Sequence, residues 1–354
     1  MSIFSRLCLA VVLSLSASFA AAQPAAQPSA QSSAPEPSNV EQQQKRQDTQ
    51  PGNNAPVWRD VRSGQDNYTS VKGRETGVLI QSQGDTWRRI RNGPVTFYGG
   101  LLVVLIVAAI LGFYSIFGPV KLHGKPTGRL IQRFTRLDQV VHWSVAISFC
   151  ILGLGGLIML FGKHVLLPVI GYTLFGWLTA LSKNLHNFVA PIFIVSVAAM
   201  IVLYVRYNLP KAYDLKFLLG AIDVMAKGKH IPSGKFNGGE KVWFWGGVVV
   251  LSVVVTWSGL ILLFPNFDQT RAVMQEAWIW HACAGLLYIS ISFGHMYLGT
   301  IGLEGSYQAM RSGYVDETWA KEHHQYWYDE MKASARQPAG GAVPAGAPHM
   351  KEKT

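Results

Sequence analysis

Cysteine is nearly absent from this chain: Cys8, Cys150 and Cys283 are the only three in 354 residues. One lies close to the start and two lie inside apolar runs. That excludes a disulfide framework, a thiolate metal site and the Cys-x-x-Cys-His attachment of a covalent c-type haem. Any haem would have to be held by side-chain ligation. Charge is scarce as well. Asp, Glu, Lys and Arg make up 14% of the chain against 49% hydrophobic residues, and the apolar residues gather in blocks long enough to cross a hydrocarbon core of about 30 Å. This is the composition of an integral membrane protein. The net charge of +11 would point to nucleic acid in a soluble chain. Here the placement of the basic residues between apolar blocks reports topology instead, and no nucleic-acid partner is expected.

What is present falls into an ordered series. Residues 1–22 carry Arg6, an apolar run from Leu7 to Leu15 and Ala20-Ala21-Ala22 before Gln23, the pattern of a cleaved signal peptide. Residues 23–56, rich in Pro, Ala, Gln and Ser, are expected to be a disordered external linker. Residues 57–95 form a further external segment with Trp58, Tyr68, the strand-like run from Gly77 to Gln81, and Trp87-Arg88-Arg89. Such a segment is too short for a core of its own and is expected to rest on something else.

Five apolar segments follow, at approximately 96–117, 139–162, 186–205, 242–264 and 277–300. A sixth run, Val165 to Leu181, is shorter and is interrupted by Pro168, Gly171 and Gly176. The basic residues argue against its spanning. Lys121, Lys125, Arg129, Arg133 and Arg136 precede the second segment, and Arg206, Lys211, Lys216, Lys227, Lys229, Lys235 and Lys241 follow the third. Five spans put both loops on one side, cytoplasmic by the positive-inside rule, together with a disordered tail at 333–354, and leave the N-terminal region outside. Val165 to Leu181 is then expected to be an interfacial or re-entrant hairpin. Arg88, Arg89 and Arg91 oppose the rule, and a translocated signal peptide overrides them.

Within the spans, histidines carry the chemistry. His281 and His295 lie fourteen residues apart in the last span. Fourteen steps of an α-helix return to within about 40° of the same face, roughly 21 Å along the axis. Ionisable groups at such depth usually mark a pathway, a relay or a cofactor. His142 lies at the inner end of the second span and His186 at the outer end of the third. Depth therefore pairs His186 with His281 and His142 with His295. Two bis-imidazole sites in a four-helix bundle are what two low-spin b haems require. Zinc does not suit these pairs, since each offers two nitrogens with no carboxylate or thiolate nearby. Gly153, Gly155, Gly156, Gly285 and Gly294 would let a flat macrocycle fit between helices. His123, His164, His230, His323, His324 and His349 fall in loops or tails and read as solvated.

From about Arg133 to Tyr328 the chain resembles the gamma subunit, a cytochrome b, of membrane-bound formate dehydrogenase. The resemblance is carried by Asp138 with His142-Trp143, Leu185-His186, Arg206 to Pro210, Gly234 to Lys241, Gly259, His281 to Gly285, His295-Met296-Tyr297, Gly305-Ser306 and Trp319 to His324. It implies an all-α membrane protein: a four-helix diheme cytochrome b bundle over 118–332, with one additional N-terminal transmembrane helix at 96–117. It implies axial haem ligation by His142, His186, His281 and His295 in the pairing that depth gives. It also implies a quinone site at Asn237, Gly239 and His295. The partners implied are the iron–sulfur beta subunit and the catalytic alpha subunit, with quinone as electron acceptor, in a bacterial inner membrane with the N-terminal region periplasmic and the C-terminus cytoplasmic. The chain carries no molybdenum-site or iron–sulfur signature, so formate oxidation would belong to a partner. Two departures from the family stand out. The region before residue 118 is additional to the smallest members, and Glu240 stands where a Gln can occur. Two other readings remain open: a diheme cytochrome b of a hydrogenase or sulfur-compound reductase, and a cofactor-free membrane anchor or metal transporter.

Overall fold

The computed structural model describes residues 83–265 and 267–336, together with Glu41, Lys45, Arg62, Ser63, Met350 and Lys351. The chain divides into two units, Met1–Gln81 and Ser82–Thr354. The signal peptide, nearly all of the linker, and the strand-like run from Gly77 to Gln81 lie outside the described residues.

Five helices are long and apolar enough to cross a membrane: α1 (Gly84–Phe117), α2 (Arg136–Val165), α3 (Leu167–Tyr207), α6 (Gly238–Leu263) and α7 (Arg271–Gly302). Between and after them lie the short helices α4 (Ala212–Leu219), α5 (Ala221–Lys227), α8 (Ser306–Ser312), α9 (Glu317–His323) and α10 (Gln325–Arg336). The described part of the protein is thus mostly helical and multi-pass.

Two of the spans, α2 and α7, begin at threonine caps. The Thr135 hydroxyl accepts from the Asp138 backbone N–H at 3.2 Å, and the Asp138 carboxylate accepts from the Thr135 N–H at 2.8 Å. This capping box opens α2, with Asp138 one turn before His142. Thr270 caps α7 through the Val273 N–H. Within the apolar spans the buried serines return their hydroxyls to the preceding turn: Ser258 to the Val254 carbonyl, Ser290 to Leu286 and Ser292 to Tyr288. A hydroxyl so satisfied occupies little volume, and helices can close upon it.

The run from Val165 to Leu181 divides at Gly171. Gly171, at φ 74° and ψ 172°, is non-helical, and two helices meet there across a kink: a short piece from Leu167 and the long helix that carries His186. Pro168 sits in the first turn, where a missing N–H breaks no intrahelical bond. Gly176 lies in the helix interior, where glycine is costly but tolerated. Gly162 lies beside Phe175 and Gly155 beside Ser182, so the helix after Gly171 runs antiparallel to α2 and the chain reverses between Val165 and Gly171, where Pro168 also sits. The expected first span is also longer than its apolar run, because residues 84–95 continue it. Pro94 is accommodated in a π-helical turn, Arg91–Val95.

α2 and α3 pack along each other, as do α6 and α7, and α1 lies against α7. Gly99 permits that last approach: a Cβ there would sit 2.4 Å from the Leu286 side chain. Arg91 stacks between Trp87 of α1 and Trp278 of α7, 5.6 and 5.2 Å from the two rings. Outside the spans three short strands form an antiparallel sheet in the order β2-β1-β3, with β1 at Leu130–Gln132, β2 at Tyr314–Asp316 and β3 at Met350–Lys351. α10 extends to Arg336. Of the segment expected to be a disordered tail, residues 333–336 are helical and Met350–Lys351 form β3, and the remainder lies outside the described residues.

Candidate functional site: two histidine pairs and a capped loop

The four intramembrane histidines come together two by two. His186 of α3 and His281 of α7 have ring centroids 5.9 Å apart. His142 of α2 and His295 of α7 are 6.3 Å apart. Two metal–nitrogen bonds of about 2 Å in line, with the ring radii added, also give roughly 6 Å. Both spacings suit one metal centre held between two imidazoles.

Local contacts orient the first pair. His186 Nδ1–H donates to the Leu152 carbonyl of α2 at 3.0 Å. His281 Nδ1–H donates to the Val255 carbonyl of α6 at 3.0 Å and lies 3.2 Å from the Ser258 hydroxyl. A carbonyl can only accept, so each Nδ1 carries the proton and each Nε2 keeps its lone pair. This is how ligating histidines are usually fixed. Glycines make room for these rings. A Cβ at Gly259 would lie 3.1 Å from His281, and one at Gly155 would lie 3.7 Å from His186 Nδ1 and 3.3 Å from the Ser182 carbonyl. A Cβ at Gly285, one turn beyond His281, or at Gly294, beside His295, would meet nothing within 4 Å.

The second pair is held differently. His142 Nδ1 is buried without a hydrogen-bond partner among the described residues. His295, the most accessible of the four, stacks on Trp243 with centroids 4.9 Å and planes 14° apart. Trp243 meets Tyr288 at 5.8 Å, Tyr288 meets Phe149 at 4.6 Å, and the Tyr288 hydroxyl bonds Ser252 at 3.0 Å. Tyr288 stands seven residues from each histidine of α7, so packed aromatics fill the layer between the two pairs.

The loop before α6 holds Asn237-Gly238-Gly239, the sequence that resembles a quinone motif. Its asparagine has a local duty: Asn237 Oδ1 accepts from the Glu240 N–H at 2.9 Å, and Glu240 Oε2 accepts from the Asn237 N–H at 2.8 Å. Together they cap α6. Gly238 is required for close approach, since a Cβ there would lie 2.7 Å from the Asp214 carbonyl of α4, whereas one at Gly239 would meet Asn237 Oδ1 at 3.3 Å. Glu240 also binds the buried guanidinium of Arg133 at 3.1 Å, and burial pushes Arg133 below its ordinary value. Arg133 lies over the rings of Phe134, Phe236 and Trp319. Lys241 reaches Asp214 at 2.8 Å and the Leu209 carbonyl at 3.0 Å. Burial draws the Lys235 ammonium down to about 8.

Sequence reasoning missed the loop histidines. His324 is almost fully buried, at 1% exposure, with Nδ1–H donating to the Gly234 carbonyl at 2.7 Å. His123 and His230 meet beside Glu322. Their partners are about a hundred or more positions away, and no local pattern signals them.

Comparison with known proteins covers the same region of the chain. The family model described as prokaryotic cytochrome b561 matches residues 133–313, which contain all four intramembrane histidines. The nitrate-inducible formate dehydrogenase cytochrome b556(Fdn) subunit of Escherichia coli K12 is 31% identical over 219 residues, 59% of this chain and 95% of that protein. The formate dehydrogenase cytochrome b556(fdo) subunit of the same organism is 27% identical over 212 residues, 59% of this chain and 97% of its own length. The formate dehydrogenase cytochrome b556 subunit of Haemophilus influenzae is 25% identical over 203 residues, 54% and 79% of the two chains. The described helices, the paired histidines and the family match lead to one assignment: the chain belongs to the prokaryotic cytochrome b561 family.

Proposed function

We propose that this chain is the cytochrome b subunit of a formate dehydrogenase complex, passing electrons from an iron–sulfur partner on one side of the membrane to quinone at the other. The observation that carries the reading is the pair of facing imidazoles at each of two depths, 5.9 and 6.3 Å between ring centroids. In this reading α2, α3, α6 and α7 are the four-helix unit that holds two b haems, and α1 is the additional span. His186 and His281 would hold one haem; His142 and His295 would hold the other. When bound, such groups would supply one-electron carriage, and two histidines for each would leave no place for a substrate.

The chain's own residues do the rest. The Leu152 and Val255 carbonyls keep the Nδ1 protons of His186 and His281 in place, so that Nε2 is the ligating atom. Trp243 fixes the plane of His295. At the His142 end, Asn237, Gly239 and His295 form the quinone site, and the Asn237 amide can donate to a quinone oxygen while its carbonyl caps α6. The orientation that accords with the basic loops puts this end at the cytoplasmic face of a bacterial inner membrane, with the residues before α1 periplasmic. The beta and alpha subunits of the complex would then dock at the His186 end, where formate oxidation releases protons outside while quinone reduction consumes them inside. This builds a membrane potential without a proton channel. The segments before α1 are a signal peptide at 1–22, a linker at 23–56 and an external segment from 57.

The test is the pyridine haemochrome content of the purified chain. Two haems b per polypeptide are expected. One haem per polypeptide would remove one histidine pair from the reading, and none would favour a cofactor-free anchor. Replacing His186 or His281 by Ala should leave one haem, and replacing His142 should leave the other. Formate-dependent quinone reduction by the intact complex then tests the partner assignment.

A further inference from the structure

Away from the membrane, three segments distant in sequence converge on one point. His123 lies between α1 and α2, His230 between α5 and α6, and Glu322 on α9. One ligand atom from each lies within 4.8 Å of the others. His230 Nδ1–H donates to the Glu322 backbone carbonyl at 3.0 Å, so His230 Nε2 carries a lone pair. That nitrogen is in contact with His123 Nδ1 and lies 3.6 Å from Glu322 Oε2. Glu322 Oε2 is 3.9 Å from His123 Nδ1. The carboxylate is itself fixed: the His123 N–H donates to Oε2 at 3.0 Å and the Gly124 N–H to Oε1 at 2.7 Å. Each carboxylate oxygen accepts more than one bond, so Oε2 retains a lone pair for a further partner.

We propose that His123, His230 and Glu322 form a binding site for a zinc-type divalent cation. Two neutral imidazoles and one carboxylate are a ligand set that Zn²⁺ takes, with a fourth position left for water or another donor. Calcium and magnesium prefer oxygen and do not suit it. A tetrahedral ion with bonds of about 2.0–2.1 Å sets its donors roughly 3.4 Å apart. The two carboxylate distances are within half an ångström of that value. Only the histidine pair is too close, and it has room to open, because the His123 and His230 side chains are 59% and 38% exposed while Glu322 is held at 14%. A further donor stands near: the His323 ring is 6.1 Å from that of His230, and His323 Nε2 is buried without a hydrogen-bond partner among the described residues. The competing arrangement is a single hydrogen bond from His123 Nδ1–H to His230 Nε2, which a bound cation would replace.

Such an ion would tie the connector after α1 and the loop before α6 to the helix α9. His123 and Glu322 lie outside the stretch matched by the family model, whereas His230 lies inside it.

The test uses the full-length, haem-loaded protein in detergent, treated with chelator, so that the intramembrane histidines are already occupied. Calorimetric titration with Zn²⁺ should give one site per chain. His123→Ala and His230→Ala should each abolish it while the haem spectrum stays unchanged. Zn²⁺ should raise the unfolding temperature of the wild type and of neither variant. Co²⁺ in the wild type alone should give the intense visible bands of a low-coordinate nitrogen–oxygen site, a readout that does not depend on either variant folding. No Zn²⁺ site in the wild type, binding that persists in both variants, or a Co²⁺ spectrum of the weak six-coordinate oxygen type would overturn the proposal.

Discussion

His295 lies flat against Trp243, ring centroids 4.9 Å apart and planes 14° from parallel. Trp243 belongs to the helix that Asn237 caps, so the stack connects the capped loop to one imidazole of the His142–His295 pair.

Replacing Trp243 by Leu should therefore disturb one haem and spare the other. The stacked pair contributes about 0.5–1.5 kcal/mol beyond its burial, and without it His295 loses a fixed plane. Low-temperature spectra or electron paramagnetic resonance of the variant should show one signal shifted or broadened. Equal disturbance of both signals would mean that Trp243 acts through the bundle as a whole.

Asn237 can be divided into its two halves. Asp and Ser cap helices about as well as Asn, whereas Ala costs about 1 kcal/mol. Asn237→Asp should retain stability and both haem spectra, yet slow the oxidation of reduced haem by quinone, because the amide donor is gone. Asn237→Ala should slow the same reaction and lower the unfolding temperature as well. Wild-type quinone kinetics in both variants would leave Asn237 as a cap alone.

Gly238→Ala tests the approach of α6 to α4. A methyl group 2.7 Å from the Asp214 carbonyl meets backbone that cannot rotate away, and overpacking of this kind costs about 1–3 kcal/mol. The expected outcome is a lower unfolding temperature with loss of quinone reactivity. Gly246→Ala is the control, since a Cβ there meets nothing within 4 Å.

Lys235 makes stability depend on pH. Burial lowers its value from 10.5 to about 8, with Arg133 and Arg206 adding to the fall and Asp138 opposing it. Below pH 8 the ammonium is charged in both the folded and unfolded protein, and the folded state bears the full penalty, on the order of 3 kcal/mol. Between pH 8 and 10.5 the unfolded chain binds more protons, so stability should rise with pH across that window. Lys235→Met should be more stable than wild type at pH 7, with the difference shrinking toward pH 10. Unfolding temperatures measured side by side check the sign; a constant difference would show that Lys235 does not titrate there.

Much of this protein follows from the sequence alone, because the properties concerned are local or periodic. Hydrophobic length sets five spans, and a helix carries a residue and its fourteenth successor on nearly one face, which put His281 and His295 in line. Depth in a bilayer is a shared coordinate, so His186 and His142 could be matched to them without contacts. The N-cap signature at Asn237-Gly-Gly-Glu240 was equally legible as a pattern, although it was read for its quinone chemistry. Other features were settled only by tertiary packing. Val165 to Leu181 holds both the turn at Gly171 and the first turns of the long helix beyond it, a division that composition does not express. The stacking of Trp243 on His295 depends on how α6 rotates against α7. The meeting of His123, His230 and Glu322 depends on folding residues as far as 199 positions apart onto one surface, and no periodicity within any one segment encodes a contact made between three.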